Sequence, residues 1–148
     1  MSGSVAVRVS LLEHAVAPPS YQTEHAAGMD LIAAVPDSIQ IPAGGIVAVP
    51  TGIRIEIPPG YEGQVRPRSG LAARHGIGVP NAPGTIDADY RGEVQVLLVN
   101  LGGAPYTVRR GDRIAQLVLA PVVRAQIEVA SKLTETERGV GGFGHTGR

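Results

Sequence analysis

Apolar and charged residues alternate regularly over Ile53-Arg54-Ile55-Glu56-Ile57, and an apolar-rich run with the same period covers Glu93-Val94-Gln95-Val96-Leu97-Leu98-Val99-Asn100. Successive side chains of a β-strand point to opposite faces, so both segments read as strands, the first with one buried face. Pro58-Pro59-Gly60 closes the first, and Leu101-Gly102-Gly103 closes the second. Further strands are predicted over residues 5–9, 27–34, 45–49, 61–66, 106–108, 113–119 and 122–129. Residues 61–66 are expected to return as the hairpin partner of residues 53–57. One short helix is predicted, over residues 69–74. Strand-sized segments punctuated by turns roughly every ten residues suggest an all-β, single-domain, jelly-roll-like β-barrel.

Composition sharpens this picture. The chain has 148 residues, with 20 Gly and 12 Pro, and only four Tyr, one Phe and no Trp. The core is therefore expected to be aliphatic. Thirteen basic and thirteen acidic residues cancel, so the basic excess of a general nucleic-acid or membrane-surface partner is missing. Without cysteine, neither a disulfide frame nor a thiolate metal site can form. His14, His25, His75 and His145 lack metal-ligand spacing. The sequence carries no membrane-length apolar run and no signal pattern, which makes a soluble cytoplasmic protein the default expectation. Residues 1–130 are assigned to the barrel and residues 131–148 to a C-terminal arm. The glycine-rich end from Arg138 to Gly147 has too little apolar surface to hold itself folded. It is expected to be mobile until a ligand or neighbour orders it.

The chemistry concentrates in Gly84-Thr85-Ile86-Asp87-Ala88-Asp89-Tyr90-Arg91-Gly92-Glu93. On a regular strand Asp87 and Tyr90 would face opposite sides, so a shared site requires the chain to turn there. The glycines of Gly142-Phe143-Gly144-His145-Thr146-Gly147 fit a dinucleotide fingerprint, but that motif works only between a strand and a helix, and one residue follows here. Asp87 to Leu98 opens like a calcium loop but puts a cation, Arg91, at the fifth position and Leu98 at the twelfth.

What remains suits phosphate. Arg66-Pro67-Arg68-Ser69-Gly70-Leu71 places guanidinium and hydroxyl groups at the start of a short helix, where free N–H groups and the helix dipole favour an anion. The arm adds Arg138, glycine N–H groups and Thr146. Phe143 is the single Phe and lies where burial is hardest, which suits a ring closing over a flat ligand. Asp30, within Ala27-Gly28-Met29-Asp30-Leu31, must pair with a nearby Arg or face a site, because an unpaired buried carboxylate is too costly.

These segments closely resemble the five ordered motifs of the trimeric deoxyuridine triphosphatases. In order they are Ala27 to Leu31, Pro67 to Ala72, Gly84 to Glu93, Gly111-Asp112-Arg113-Ile114-Ala115-Gln116, and Arg138 to Gly147. The resemblance spans nearly the whole chain. It implies a jelly-roll-like homotrimer whose sites lie between subunits, with C-terminal arms exchanged. It implies Mg²⁺-dependent hydrolysis of dUTP to dUMP and pyrophosphate, which limits uracil incorporation into DNA and supplies dUMP for thymidylate synthesis.

By the same resemblance, Asp87 orients and deprotonates the water that attacks the α-phosphorus. Arg68, Ser69, Gly70 and Gln116 hold the phosphates, Arg138, His145 and Thr146 close on the γ-phosphate end, and Gly144 is a further substrate-binding residue of the arm. Asn81 helps read uracil, Phe143 stacks on it, and Tyr90 packs under the deoxyribose. Asp30 acts behind them with Arg68 as its partner. The metal is held by substrate phosphates and water, without a direct protein ligand. His145 stands where the family more often has Ser. Two alternatives share the strand pattern: a related dCTP deaminase, and a jelly-roll module that binds without catalysis.

Overall fold

The computed structural model describes residues 3–148. Its strands are β1 (Arg8–Leu11), β2 (Met29–Ile32), β3 (Ser38–Ile41), β4 (Ile46–Glu56) and β5 (Tyr61–Arg66). After helix α1 (Ser69–His75) come β6 (Ile77–Gly78), β7 (Gly84–Ile86), β8 (Glu93–Asn100), β9 (Tyr106–Arg109) and β10 (Arg113–Pro121). Two four-stranded sheets have the orders β1-β4-β8-β6 and β2-β10-β5-β7, and β3 pairs with β9 in a ribbon. The pairings are antiparallel. The architecture is the all-β, jelly-roll-like one expected, with neighbouring strands mostly distant in sequence.

The alternation of β8 survives in the fold: Val94, Val96 and Leu98 are buried while Gln95 and Leu97 face outward. With Leu31, Ile41, Val49, Ile53, Ile55, Ile57, Val108 and Ile114, they make an aliphatic core. Burying each such side chain contributes about 1.5–3 kcal/mol. Phe143 takes no part in it. Among the described residues the one fully buried side-chain amide, Asn100, donates to Ile41 O and Ala104 O and accepts from Gly102 N–H. Those bonds end β8 beside Gly76, the left-handed C-cap of α1, whose carbonyl accepts the Leu101 N–H.

Several expectations are corrected. Residues 45–49 and 53–57 belong to one strand, β4, because Pro50, Thr51 and Gly52 form a bulge rather than a turn. Between Pro50 and Arg54 the chain advances four residues while β8 advances two. Gly52 supplies a φ of 71°, which the bulge needs and most side chains resist. Residues 61–66 do form a strand, but β5 pairs with β10 and β7 and lies in the other sheet from β4. Pro58-Pro59-Gly60 is thus a corner between sheets. Residues 122–129 form no strand and are exposed. The first strand is Arg8–Leu11, displaced toward the C-terminus from residues 5–9. β3, β6 and β7 were not predicted; β6 and β7 have two and three residues, too few for a period to show.

Candidate functional site

The predicted site residues gather in three places. The first is on β2, β10 and the segment leaving β5. Gln116 lies in register with Asp30 on one side and Arg66 on the other. Gly28 makes room for its side chain: a Cβ there would come within 3.0 Å of Gln116 Cβ and 3.2 Å of Oε1. Asp30 is 3% exposed. Its carboxylate lies 3.7 Å from Arg68 Nε and 3.4 Å from Arg113 Nη1.

Arg68 was the partner expected. Arg113 was not, and its arrival has a backbone cause. A register shift between Arg113 and Ala115 breaks the alternation, so Ile114 and Ala115 are both buried and Arg113 reaches Asp30. Arg68 also donates to Arg113 O at 3.1 Å, which ties the start of α1 to β10.

Arg68 is the N-cap residue of α1, and no side chain caps the helix there. The first-turn N–H groups of Ser69 and Gly70 are thus available to an anion. Around the corner a shallow cavity of about 520 Å³ is lined by Gln64, Arg66, Pro67, Ala82, Pro83 and Gln116. The charge here is also felt by Tyr106. Burial pushes its phenol above the ordinary value and Asp112 adds to that, while Arg68 and Arg74 oppose it.

The second place is the segment after β7. Tyr90 N–H donates to Asp87 O at 3.1 Å, so the chain does turn between the two residues. Arg91 fixes this turn, donating to Ala88 O at 2.6 Å and Tyr90 O at 3.0 Å, with Glu56 3.4 Å away. The Tyr90 hydroxyl donates to Glu93 O at 2.9 Å, which folds the ring over Gly92. A cleft of about 270 Å³ results, lined by Thr85, Ile86, Asp87, Tyr90, Glu93, Val94 and Gln95. Asp87 is exposed, and among the described residues no side chain hydrogen-bonds to or pairs with its carboxylate. Asn81 stands at the entry to β7, its Nδ2 near Gly84. Thr85, Glu93 and Gln95 went unassigned in the sequence; the period of two that puts Glu93 and Gln95 on one face of β8 was the available signal.

The third place is the arm. Residues 121–148 are exposed apart from Gly141. Arg138 Nε donates to Gly141 O at 2.8 Å, and the His145 ring rests on Gly141. Phe143 is fully exposed with a φ of 48°. Gly144 has a φ of 87°, and Thr146 is exposed. Among the described residues, the last backbone bond from the barrel to this segment is Val122 N–H to Gly60 O. Within one copy only the start of this segment reaches a cluster, since Val122 and Arg124 line a cavity of about 580 Å³ with Thr85, Asp87 and Asp89, whereas among the described residues the hydrogen bonds of residues 131–148 stay within that segment.

The clusters themselves lie apart. Gln116 is level with Arg66 on β5, whereas Ile86 is level with Gly63 and Asp87 continues past it. Asp87 and Gln116 are thus separated by about four residues along β5, or roughly 13 Å, and by two strand spacings across the sheet.

The family model for dUTPase matches residues 14–147. Among solved structures, a glycine-to-serine mutant of the Staphylococcus bacteriophage 80alpha dUTPase with dUpNHpp is similar over 97% of this chain and 99% of that chain, at 23% identity and a TM-score of 0.87. The same phage's dUTPase with dUpNHpp matches over the same shares at 23% identity and a TM-score of 0.86. An aspartate-to-asparagine mutant of the dUTPase from phage phi11 of S. aureus, described with a structural Mg(II) ion, matches at 21% identity, 88% and 99% coverage and a TM-score of 0.76. At these identities the likeness is one of fold.

Proposed function

The chain belongs to the dUTPase family, and from that premise we propose how its residues cleave dUTP to dUMP and pyrophosphate. The observation that carries the reading is the turn itself. It holds Asp87 free and exposed on the rim of a cleft whose wall is the Tyr90 ring. Asp87 accepts a proton from the water it aims at the α-phosphorus, a role typically worth about 10²–10⁴-fold in rate. The pyrimidine enters the cleft beside Ile86 and Gln95, Asn81 reads its edge, and the sugar lies on Tyr90, which leaves no room for a 2′-hydroxyl. That the phage relatives bind dUpNHpp supports a nucleoside triphosphate as ligand.

Arg68, Ser69, Gly70 and Gln116 form the phosphate clamp. The Arg68 guanidinium, the Ser69 and Gly70 N–H groups and the Gln116 amide N–H can all donate, so they suit phosphoryl oxygens. Mg²⁺ would be held by phosphate oxygens and water with no direct protein ligand, and would neutralise charge on the phosphoryl groups. Asp30 fixes the direction of Arg68. Arg138, Gly144, His145 and Thr146 close on the γ-phosphate end, and Phe143 covers the base.

The clamp and the base must both meet one triphosphate, with Asp87 within hydrogen-bond reach, about 3 Å, of the water it deprotonates. The separation of Asp87 from Gln116 within one copy supports a homotrimer in which one subunit supplies the Asp87 cleft and another the clamp. The exposure of residues 121–148 supports an arm that crosses to a neighbour. Among the described residues no helix is long and apolar enough to cross a membrane.

The test is pyrophosphate release from dUTP with Mg²⁺, read alongside mass in solution. Intact dUTP would overturn the reading. Ammonia from dCTP would favour the deaminase, and nucleotide binding without product the non-catalytic module.

A further inference from the structure

The cleft is braced from outside by a residue with no role so far. His14 Nε2 lies 2.6 Å from Glu93 Oε1. Glu93 is the residue whose backbone carbonyl receives the Tyr90 hydroxyl. Its side chain is 18% exposed and that of His14 44%.

The contact exists because of the β4 bulge. A continuous ladder would fix the start of β8 by backbone bonds alone, but the register shift between Pro50 and Arg54 leaves Val94 without a register partner in β4 and Glu93 paired with Arg54 only beyond the break. Two substitutes fill the gap. The buried Thr51 hydroxyl donates to Val94 O. The segment around His14 covers the bulge: Leu12 N–H donates to Gly52 O at 2.8 Å, and Ala15 N–H to Leu12 O at 3.0 Å. Ala15 lies so close that a Cβ on Gly52 would sit 2.5 Å from its Cα. This turn delivers His14 to Glu93. It is tied in turn to the β9–β10 corner, since Arg110 Nη1 donates to His14 O at 3.0 Å and Val35 O at 3.3 Å.

We propose that His14 and Glu93 are a positioning pair that sets sugar selectivity: by anchoring the Glu93 side chain where the ladder is broken, His14 fixes the carbonyl that holds the Tyr90 hydroxyl. The inference rests on Tyr90 being the sugar gate. His14 touches neither substrate nor reacting atoms. It acts through Glu93, and Glu93 through Tyr90. Loosening the anchor lets the ring swing from its carbonyl and admits a 2′-hydroxyl.

The experiment measures kcat and KM for dUTP and for UTP in the full-length protein and in His14→Ala, His14→Gln, Glu93→Gln and Tyr90→Ala. His14→Ala is expected to lower the dUTP-to-UTP ratio of kcat/KM by about three- to tenfold, the scale of one hydrogen bond. Most of that change is expected in KM, with kcat for dUTP within about twofold. His14→Gln, whose amide can donate from a similar position, is expected to recover most of the ratio. A ratio unchanged in His14→Ala and Glu93→Gln, with Tyr90→Ala losing discrimination, would overturn the inference and leave the gate intact. A ratio unchanged in Tyr90→Ala would overturn the gate itself. A purely structural role is separated by the ratio: a loss of folded protein scales both substrates equally, and that outcome also overturns the proposal.

Discussion

Tyr90 lies across Gly92. A Cβ built at residue 92 would stand 2.7 Å from Tyr90 Cζ and collide with its hydroxyl. Gly92 is therefore required by the ring beside it, not by its own backbone angles. Gly92→Ala must displace the ring or strain the start of β8. Overpacking of this kind costs about 1–3 kcal/mol where the structure absorbs it. The ring is at a rim and can move, so a rise in KM for dUTP is expected, with little change in thermal midpoint. A large fall in the midpoint with KM unchanged would show the strain went into the sheet instead.

Arg91 clamps the same turn from the other side through Ala88 O and Tyr90 O. Both bonds leave from one nitrogen, Nη1, while Nη2 faces Glu56. Arg91→Ala is expected to lower kcat by tenfold or more on the order of one lost charged hydrogen bond, about 1.5–3 kcal/mol. Arg91→Lys, whose ammonium also carries three donors on one nitrogen, should recover part of it. Glu56→Gln should be nearly silent, since half-exposed ion pairs contribute about 0–1 kcal/mol. Steady-state kinetics on the three variants decide the matter. Activity lost equally in Arg91→Ala and Glu56→Gln would mean that the ion pair, not the carbonyl clamp, holds the turn.

The sequence disclosed strands wherever a period of two ran long enough. β8 is the segment from Glu93 to Asn100 as predicted, and β5 the segment from Tyr61 to Arg66. It disclosed bulges poorly. Pro50 and Gly52 are ordinary turn residues, and only the pairing of β4 with β8 shows them absorbed within one strand. Arg113 was hidden for the same reason, because the shift at Ile114 alters which face it meets. Partners such as His14 for Glu93, 79 residues away, depend on the full three-dimensional path and left no local signal. Residues that turn, cap or bear charge near glycine could be read directly, which is why the Asp87 turn and the Arg68 helix start were legible.

Asp30 is predicted to couple stability to the proposed phosphate clamp. Its carboxylate is buried while Arg68 and Arg113 remain partly exposed. Asp30→Asn keeps the volume and removes the charge that orients both guanidiniums. A loss of about 1–3 kcal/mol is expected, the scale of a compromised buried polar group. KM for dUTP should rise more than kcat falls, because Arg68 is released from one anchor but still donates to Arg113 O. Chemical denaturation and kinetics on the same preparation test it. Unchanged KM would remove Asp30 from the support of the clamp.

The arm supplies the sharpest separation of folding from function. Beyond Val122 its residues contribute nothing to the aliphatic core, and Phe143 is fully exposed. Removing residues 138–148 should therefore leave the thermal midpoint within the range of surface changes, about 0.5 kcal/mol, while abolishing turnover. Phe143→Ala should reduce it in part. If arm and cleft belong to different copies, two inactive chains can repair each other. Armless chains still have Asp87, and Asp87→Asn chains still have arms. Refolded together, they should form mixed assemblies in which some sites unite an intact Asp87 with an intact arm. Turnover is expected from the mixture and from neither parent. An inactive mixture, with mixed assemblies demonstrated by mass, would place the arm over its own subunit's cleft and refute the exchange.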